Sequence, residues 1–283
     1  MKKWYKYRLV EGPGQIKRLG FYQDYDDHVT AAGGYDVDPS YQSKEAFWSE
    51  HLRERFKAYD SFLTRHLADP SSRILSIASG RCINESRFLD KGYDILCTDL
   101  QNISTYEQTK KLFPNFKFKP LNILEDAADQ KFDTVLCLSL IYLFDEKTLV
   151  LFFKKVAEHL GKNGTLLLDS AGSEDNPLSW FIHDVWLKAE FYLRYLAVNA
   201  GGKSQTLTIQ DHGFRHSDTD IIDAAKKAGL ILEDQANYEF FQELNRSPLI
   251  RSWIKKSENF QKLAEKIGKK VPYVRMFKFK KID

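Results

Sequence analysis

Cysteine is scarce, with three in 283 residues, Cys82, Cys97 and Cys137, and no CxxC pair among them. Two of the three fall on predicted buried strands, so they read as reduced core thiols of a cytosolic protein, not as a disulfide framework. No apolar stretch reaches the ~18 residues of a membrane span, and no signal-peptide pattern follows Met1. Neither a membrane partner nor export is expected, and the expected location is cytoplasmic. A dominant charge is lacking too: 42 Lys and Arg stand against 39 Asp and Glu, a net +3. The basic residues gather at the ends, as Lys2, Lys3, Lys6 and Arg8 and as Lys278, Lys280 and Lys281. A nucleic-acid partner leaves a stronger and more continuous footprint, so none is expected. Internal repeats and low-complexity tracts are absent. What remains is the 43% hydrophobic, 29% charged composition of an ordinary globular enzyme, with a high aromatic content of 14%.

The chain is organised around residues 73–85, Arg-Ile-Leu-Ser-Ile-Ala-Ser-Gly-Arg-Cys-Ile-Asn-Glu. Ile74, Leu75 and Ile77 form a short apolar run, and Ala78-Ser79-Gly80 allows close approach to the backbone. A helix can open near Asn84 with its free N–H groups facing that turn. This is a nucleotide-binding turn. Tyr93 to Asp99 reads as a second strand, ending in an acid about 20 positions past Gly80, where a carboxylate can accept hydrogen bonds from both hydroxyls of a ribose. Strands at 116–121, 132–138 and 164–169 follow, with helices at 84–91, 104–112 and 146–160, the last capped by Gly161. Alternation of this kind implies a parallel sheet with helices on both faces and a ligand beyond the carboxyl ends of its strands.

The serial order of these segments resembles the class I S-adenosylmethionine-dependent methyltransferases over roughly residues 44 to 170. The first motif of that family, an acid followed by three alternating glycines, reads here Ser76-x-Ala78-x-Gly80-x-Cys82. The resemblance implies an α/β, Rossmann-like, doubly wound and mostly parallel seven-stranded sheet with helices on both faces, an antiparallel last strand and a helical lid. It implies S-adenosyl-L-methionine as cofactor and S-adenosyl-L-homocysteine as product. The implied cofactor-binding residues are Ser76, Ala78, Ser79, Gly80, Glu85, Asp99, Leu100, Asn122, Ile123, Leu138, Ser139 and Tyr142.

Residues 1–42, rich in Tyr, Gly and Asp, read as an aromatic arm whose Tyr22, Tyr25, Tyr35 and Tyr41 border a pocket or anchor on the core. The methyltransferase domain then takes 43–283, with insertions at about 171–216, the lid, and 246–270. Ser43 can cap a helix to Leu67, with Trp48, Leu52, Phe56, Tyr59 and Leu63 on one face. Asn176-Pro177 starts an aromatic amphipathic helix over 178–198. Thr206 to Gln210 alternates as a short strand, Asp211 to His216 reads as a loop, and Ser217-x-x-Asp220 caps the next helix. Residues 230–232 and 238–240 suggest a sixth strand, 249–267 a helical insertion, and 273–279 a closing strand.

Methyl transfer from a sulfonium needs chiefly alignment, exclusion of water and, where the acceptor is a hydroxyl, a base. His183, His212 and His216 are the candidate bases, because imidazole titrates near neutral pH, with Asp211 either orienting His212 or serving as the base itself. The spacing His212-x-x-x-His216 lacks a Cys or acidic cluster to complete a metal site, so no metal is expected. The reading is an N- or O-methyltransferase for a small molecule of sugar, nucleotide-sugar or natural-product type, acting as a monomer or homodimer. An RNA methyltransferase and a catalytically inactive binding subunit are the alternatives. The first lacks the Asp/Asn-Pro-Pro-aromatic motif where Leu138-Ser139-Leu140-Ile141 stands. A nicotinamide-dependent dehydrogenase lacks its GxGxxG turn.

Overall fold

Ten strands form among the described residues: β1 (Lys2–Glu11), β2 (Ile16–Leu19), β3 (Arg73–Ile77), β4 (Asp94–Asp99), β5 (Lys117–Pro120), β6 (Phe132–Cys137), β7 (Leu160–Ala171), β8 (Gln205–Arg215), β9 (Leu230–Tyr238) and β10 (Val274–Lys281). The computed structural model describes residues 1–20, 43–45, 48, 54–67, 69–100, 106–238, 247–268 and 274–282. Seven strands make one sheet in the order β5-β4-β3-β6-β7-β10-β9. Pairing is parallel from β5 through to β7, and β10 runs antiparallel to both β7 and β9. This is the predicted doubly wound sheet with its antiparallel last strand. Strand order reverses beside β3, which places a ligand crevice at the carboxyl ends of β3 and β6.

Both faces are covered, which is why these strands read as apolar runs. On one face pack α1 (Glu54–His66), α2 (Ile83–Asp90) and α3 (Tyr106–Leu112), with Phe62, Leu63, Phe88 and Phe116 buried. On the other packs α4 (Glu146–His159), whose Leu149, Phe152, Phe153 and Val156 recur at helical spacing and meet Leu166, Phe277 and Phe279. Gly161 is not the cap of α4. Leu160 leaves the helix in extended geometry, and β7 starts there with no intervening loop.

The insertion after β7 contains α5 (Pro177–Trp180), a π-helical turn over Phe181–Trp186, and α6 (Leu187–Ala200), where periodicity predicts one uninterrupted helix. Asn176 caps it as expected, its side-chain oxygen accepting from Leu178 N and Ser179 N. Ser217 and Asp220 form the expected capping box of α7 (Asp218–Lys226). The late insertion is a pair of helices, α8 (Pro248–Lys256) and α9 (Glu258–Gly268). It is tied to α6 through the buried Glu190, whose carboxylate accepts from Trp186 Nε1 at 3.1 Å, Ser247 Oγ and Leu249 N at 2.9 Å.

Within the aromatic arm, residues 2–19 form strands: β1 and β2 flank β8 in a three-stranded sheet of order β1-β8-β2, with Trp4 only 2% exposed. Tyr22, Tyr25, Tyr35 and Tyr41 lie outside the described residues. One expectation needs correction. Residues 211–215 are not a loop, because β8 continues to Arg215 through antiparallel pairing with the distant β1. The register slips between Trp4 and Tyr5, which face Gly213 and Asp211, so His212 is the extra residue of a β-bulge.

Gly213 sits on that bulge with φ +129°, a conformation that side chains rarely adopt. A Cβ there would overlap the Tyr142 carbonyl oxygen and fall 3.1 Å from its carbonyl carbon. Gly213→Ala is therefore expected to lose about 2–3 kcal/mol, as overpacking against backbone does. Urea unfolding of the two proteins would measure it.

Candidate functional site

The turn after β3 is built by hydrogen bonds to the end of β4. Ser79 N donates to Thr98 O at 2.8 Å, Gly80 N donates to Asp99 Oδ2 at 2.9 Å, and Cys82 N closes back on Ser79 O at 2.8 Å. Ala78, Gly80 and Cys82 all take positive φ, at 52°, 53° and 58°. These are the positions of the alternating glycines in the sequence motif, so the glycine-type path persists although two side chains have been added. Asp99 also accepts from Leu100 N at 2.8 Å. Burial pushes its carboxyl up, and the two backbone donors pull it back.

Beyond the ends of β3 to β6 opens a cavity of about 430 Å³. Of the predicted cofactor residues, Ala78, Asp99, Leu100, Asn122, Ile123, Leu138, Ser139 and Tyr142 line it. Ser76, Ser79, Gly80 and Glu85 are not on its wall and instead shape the turn beside it. Sequence reasoning missed Ile77, Leu121, Leu124, Leu140, Leu143 and Phe144, which also line it. Each adjoins a predicted site residue or lies within a few positions of one, so strand-end position was the available signal. Asn122 is fixed by an Asx turn, its Oδ1 accepting from Leu124 N at 3.1 Å.

Ser139, at the end of β6, has φ 60°, and its N–H donates to the buried Asp169 at the end of the parallel run of β7. Tyr59 of α1 donates to the other carboxylate oxygen and lies 3.3 Å from Ser139 Oγ. Asp169 and Tyr59 thus hold the cavity's Ser139 edge. Asp169 was visible only as the terminal acid of a strand.

Ser76 stands where the motif has an acid, and its hydroxyl donates to Glu85 Oε1 at 2.6 Å. Both side chains are about 1% exposed. The carboxylate beneath this turn comes instead from Glu85, in the first turn of α2. Its second oxygen, Oε2, is buried with no hydrogen-bond partner. Burial raises its pKa to about 7, against the opposing bond from Ser76 and with a smaller upward contribution from Asp99.

The histidines divide. His212, on the bulge, meets the Tyr142 ring at a tilt 4.9 Å away and the Trp4 ring edge-on at 4.8 Å, and His183 of the π-helical turn lies 5.7 Å from Trp4. Trp4 also meets Tyr142 edge-on at 6.1 Å, so these four rings form one packed wall behind the Tyr142 edge of the cavity. His216 is not part of it. Fully buried, its Nε2 donates to Ile141 O at 2.9 Å, and burial lowers its pKa, so it is a neutral structural group. Asp211 does not stand free as a base: Lys3 Nζ lies 3.0 Å from its carboxylate, and Gly213 N donates to it at 3.3 Å. Among the described residues no group of three His, Cys, Asp or Glu could hold a metal ion. No helix among them is long and apolar enough to cross a membrane.

No family model matches the chain. Solved structures share its architecture at low identity. The 1,6-didemethyltoxoflavin-N1-methyltransferase of Burkholderia thailandensis, with 1,6-didemethyltoxoflavin and S-adenosylhomocysteine bound, is 12% identical over 98% of this chain and 95% of that one, with a TM-score of 0.52. The geranyl diphosphate C-methyltransferase of Streptomyces coelicolor, with Mg2+, geranyl diphosphate and S-adenosyl-L-homocysteine, is 12% identical over 80% and 78%, with a TM-score of 0.53. The magnesium protoporphyrin IX methyltransferase of Synechocystis, with S-adenosylhomocysteine bound, is 13% identical over 81% and 84%, with a TM-score of 0.50. The likeness is one of fold: the chain has the class I S-adenosylmethionine-dependent methyltransferase fold.

The buried Glu85 makes stability pH-dependent. Its folded pKa, about 7, lies above the ordinary 4.5, so between those values the native state holds a proton that the unfolded chain has released. Stability from this group is therefore lost as pH rises. Relative to Glu85→Gln, the wild type is expected to lose on the order of 2–3 kcal/mol between pH 5 and 8, from the ~1.4 kcal/mol carried by each pKa unit. Parallel urea titrations without added ligand would check it, and a constant difference between the two proteins would refute the shift.

Proposed function

We propose that this protein is an S-adenosylmethionine-dependent methyltransferase acting on a small-molecule hydroxyl or amine. The observation that carries the reading is the cavity at the strand ends, with Asp99 at its rim held by Gly80 N and Leu100 N. When bound, S-adenosylmethionine supplies a methyl group already activated by its sulfonium. Asp99 would accept hydrogen bonds from the ribose hydroxyls, while Leu100, Ile123 and Leu138 offer the adenine an apolar setting with Asn122 at its edge. Ser139 and Tyr142 would face the reacting centre.

His212 is the residue we assign as base for a hydroxyl acceptor, taking the proton on a ring nitrogen. The bulge turns it toward Tyr142, and its near-complete burial excludes water. His183 supports that wall from the lid. The cavity is bordered by Tyr142 and Phe144, and the three-stranded sheet packs behind Tyr142 through Trp4 and Gly213, which favours a small acceptor over an open macromolecular surface.

Calorimetric titration with S-adenosylhomocysteine, with NAD as control, tests the donor site. Binding of the first alone is expected, and Asp99→Ala should weaken it by about 1–3 kcal/mol, the cost of removing a charged acceptor. Equal affinity in wild type and variant would remove the ribose assignment.

A further inference from the structure

Among the described residues two arginines are fully enclosed, and they differ in how much of the guanidinium is met. Arg275, 1% exposed, meets Asp218 through Nη1 and Ser170 Oγ at 2.9 Å, Gly172 O and His216 O at 2.8 Å through Nη2, leaving Nε alone without an acceptor. That is how a buried structural arginine is kept. Arg215, 0% exposed, has a single partner: its Nη2 donates to Asp184 Oδ2 at 2.6 Å. Its Nε and Nη1 are buried without an acceptor among the described residues. Leaving donors of a buried cation unmatched costs several kcal/mol, and a guanidinium edge is shaped for an oxyanion.

Its position adds a second observation. Arg215 lies two residues beyond Gly213 on β8, hence on the same strand face, and Gly213 packs directly on Tyr142 of the cavity. Its partner Asp184 follows His183, which belongs to the Trp4, Tyr142 and His212 wall. The Asp184–Arg215 pair is neutral as it stands, so it suits one added negative charge better than two. The π-helical turn 181–186 carries Asp184, and π-turns gather at functional sites.

Resting on the methyltransferase reading, we propose that Arg215 is a specificity-determining anion anchor, and that the acceptor is a planar aromatic molecule bearing a carboxylate. The carboxylate takes the free Nε and Nη1 hydrogens while the ring lies against the aromatic wall, with the lid turn that carries Asp184 lifting to admit it.

The test is calorimetry on the full chain loaded with S-adenosylhomocysteine, using 3-hydroxybenzoate and its neutral amide, 3-hydroxybenzamide, as probes. The wild type is expected to prefer the acid by at least about tenfold, the scale of one charge-assisted hydrogen bond. R215Q should abolish the preference with S-adenosylhomocysteine affinity retained, and D184N, which frees the guanidinium from its internal partner, should widen it. A merely structural ion pair predicts that both variants act alike. Equal binding of acid and amide to wild type, binding of neither, a preference surviving in R215Q, or losses of the same sign in both variants would each overturn the proposal. Failure of S-adenosylhomocysteine to bind, with the acid preference intact, would instead count against the methyltransferase reading alone.

Discussion

A carboxylate taken out of water must be met by donors, and at the carboxyl edge of this sheet that requirement shapes everything around the cavity. Asp99 is met by Gly80 N and Leu100 N, Asp169 by Ser139 N and the Tyr59 hydroxyl, and Glu85 by Ser76. An unpaired buried ion costs several kcal/mol, whereas a left-handed non-glycine residue costs about 1–2. The second cost is the smaller. Ala78, Cys82 and Ser139 accordingly hold positive φ, in the turns that aim these N–H groups at the acids.

The Tyr142 side of the cavity rests on a different principle. β8 and β1 are far apart in the chain, and only their pairing brings Trp4 against His212 and Tyr142. The bulge at His212 also brings Gly213 onto the Tyr142 backbone, where no side chain fits. One irregularity in one strand therefore sets both how closely β8 meets Tyr142 and where the imidazole lies.

This contrast explains what could be read from the chain alone. The strands at 73–77, 94–99 and 132–137 announce themselves through short apolar runs, and Asp99 through its distance from Gly80, because each signal is local. The capping box at Ser217 was legible for the same reason. The continuation of β8 to Arg215 was not, since Asp211 to His216 has loop-like composition and becomes a strand only when β1 supplies its partners. Nor could sequence separate His216 from His212. What divides them is a carbonyl at Ile141 and the depth of burial, both tertiary. The π-turn at 181–186 likewise keeps a helical periodicity and shows only in the backbone.

The exchange of an acid for Ser76 is then a rearrangement, not a loss. A serine on β3 is too short to reach the turn, but it leaves room for Glu85 to reach back from the first turn of α2, where a helix N-terminus favours negative charge. A carboxylate therefore stands under the turn although the strand position is serine. What changes is their setting: Glu85 is enclosed so completely that it titrates near neutrality, and one of its oxygens has nothing to accept. Below that point the enclosed carboxyl holds its proton and is neutral, and above it the turn carries a buried charge, so the same burial ties the stability of the turn to pH.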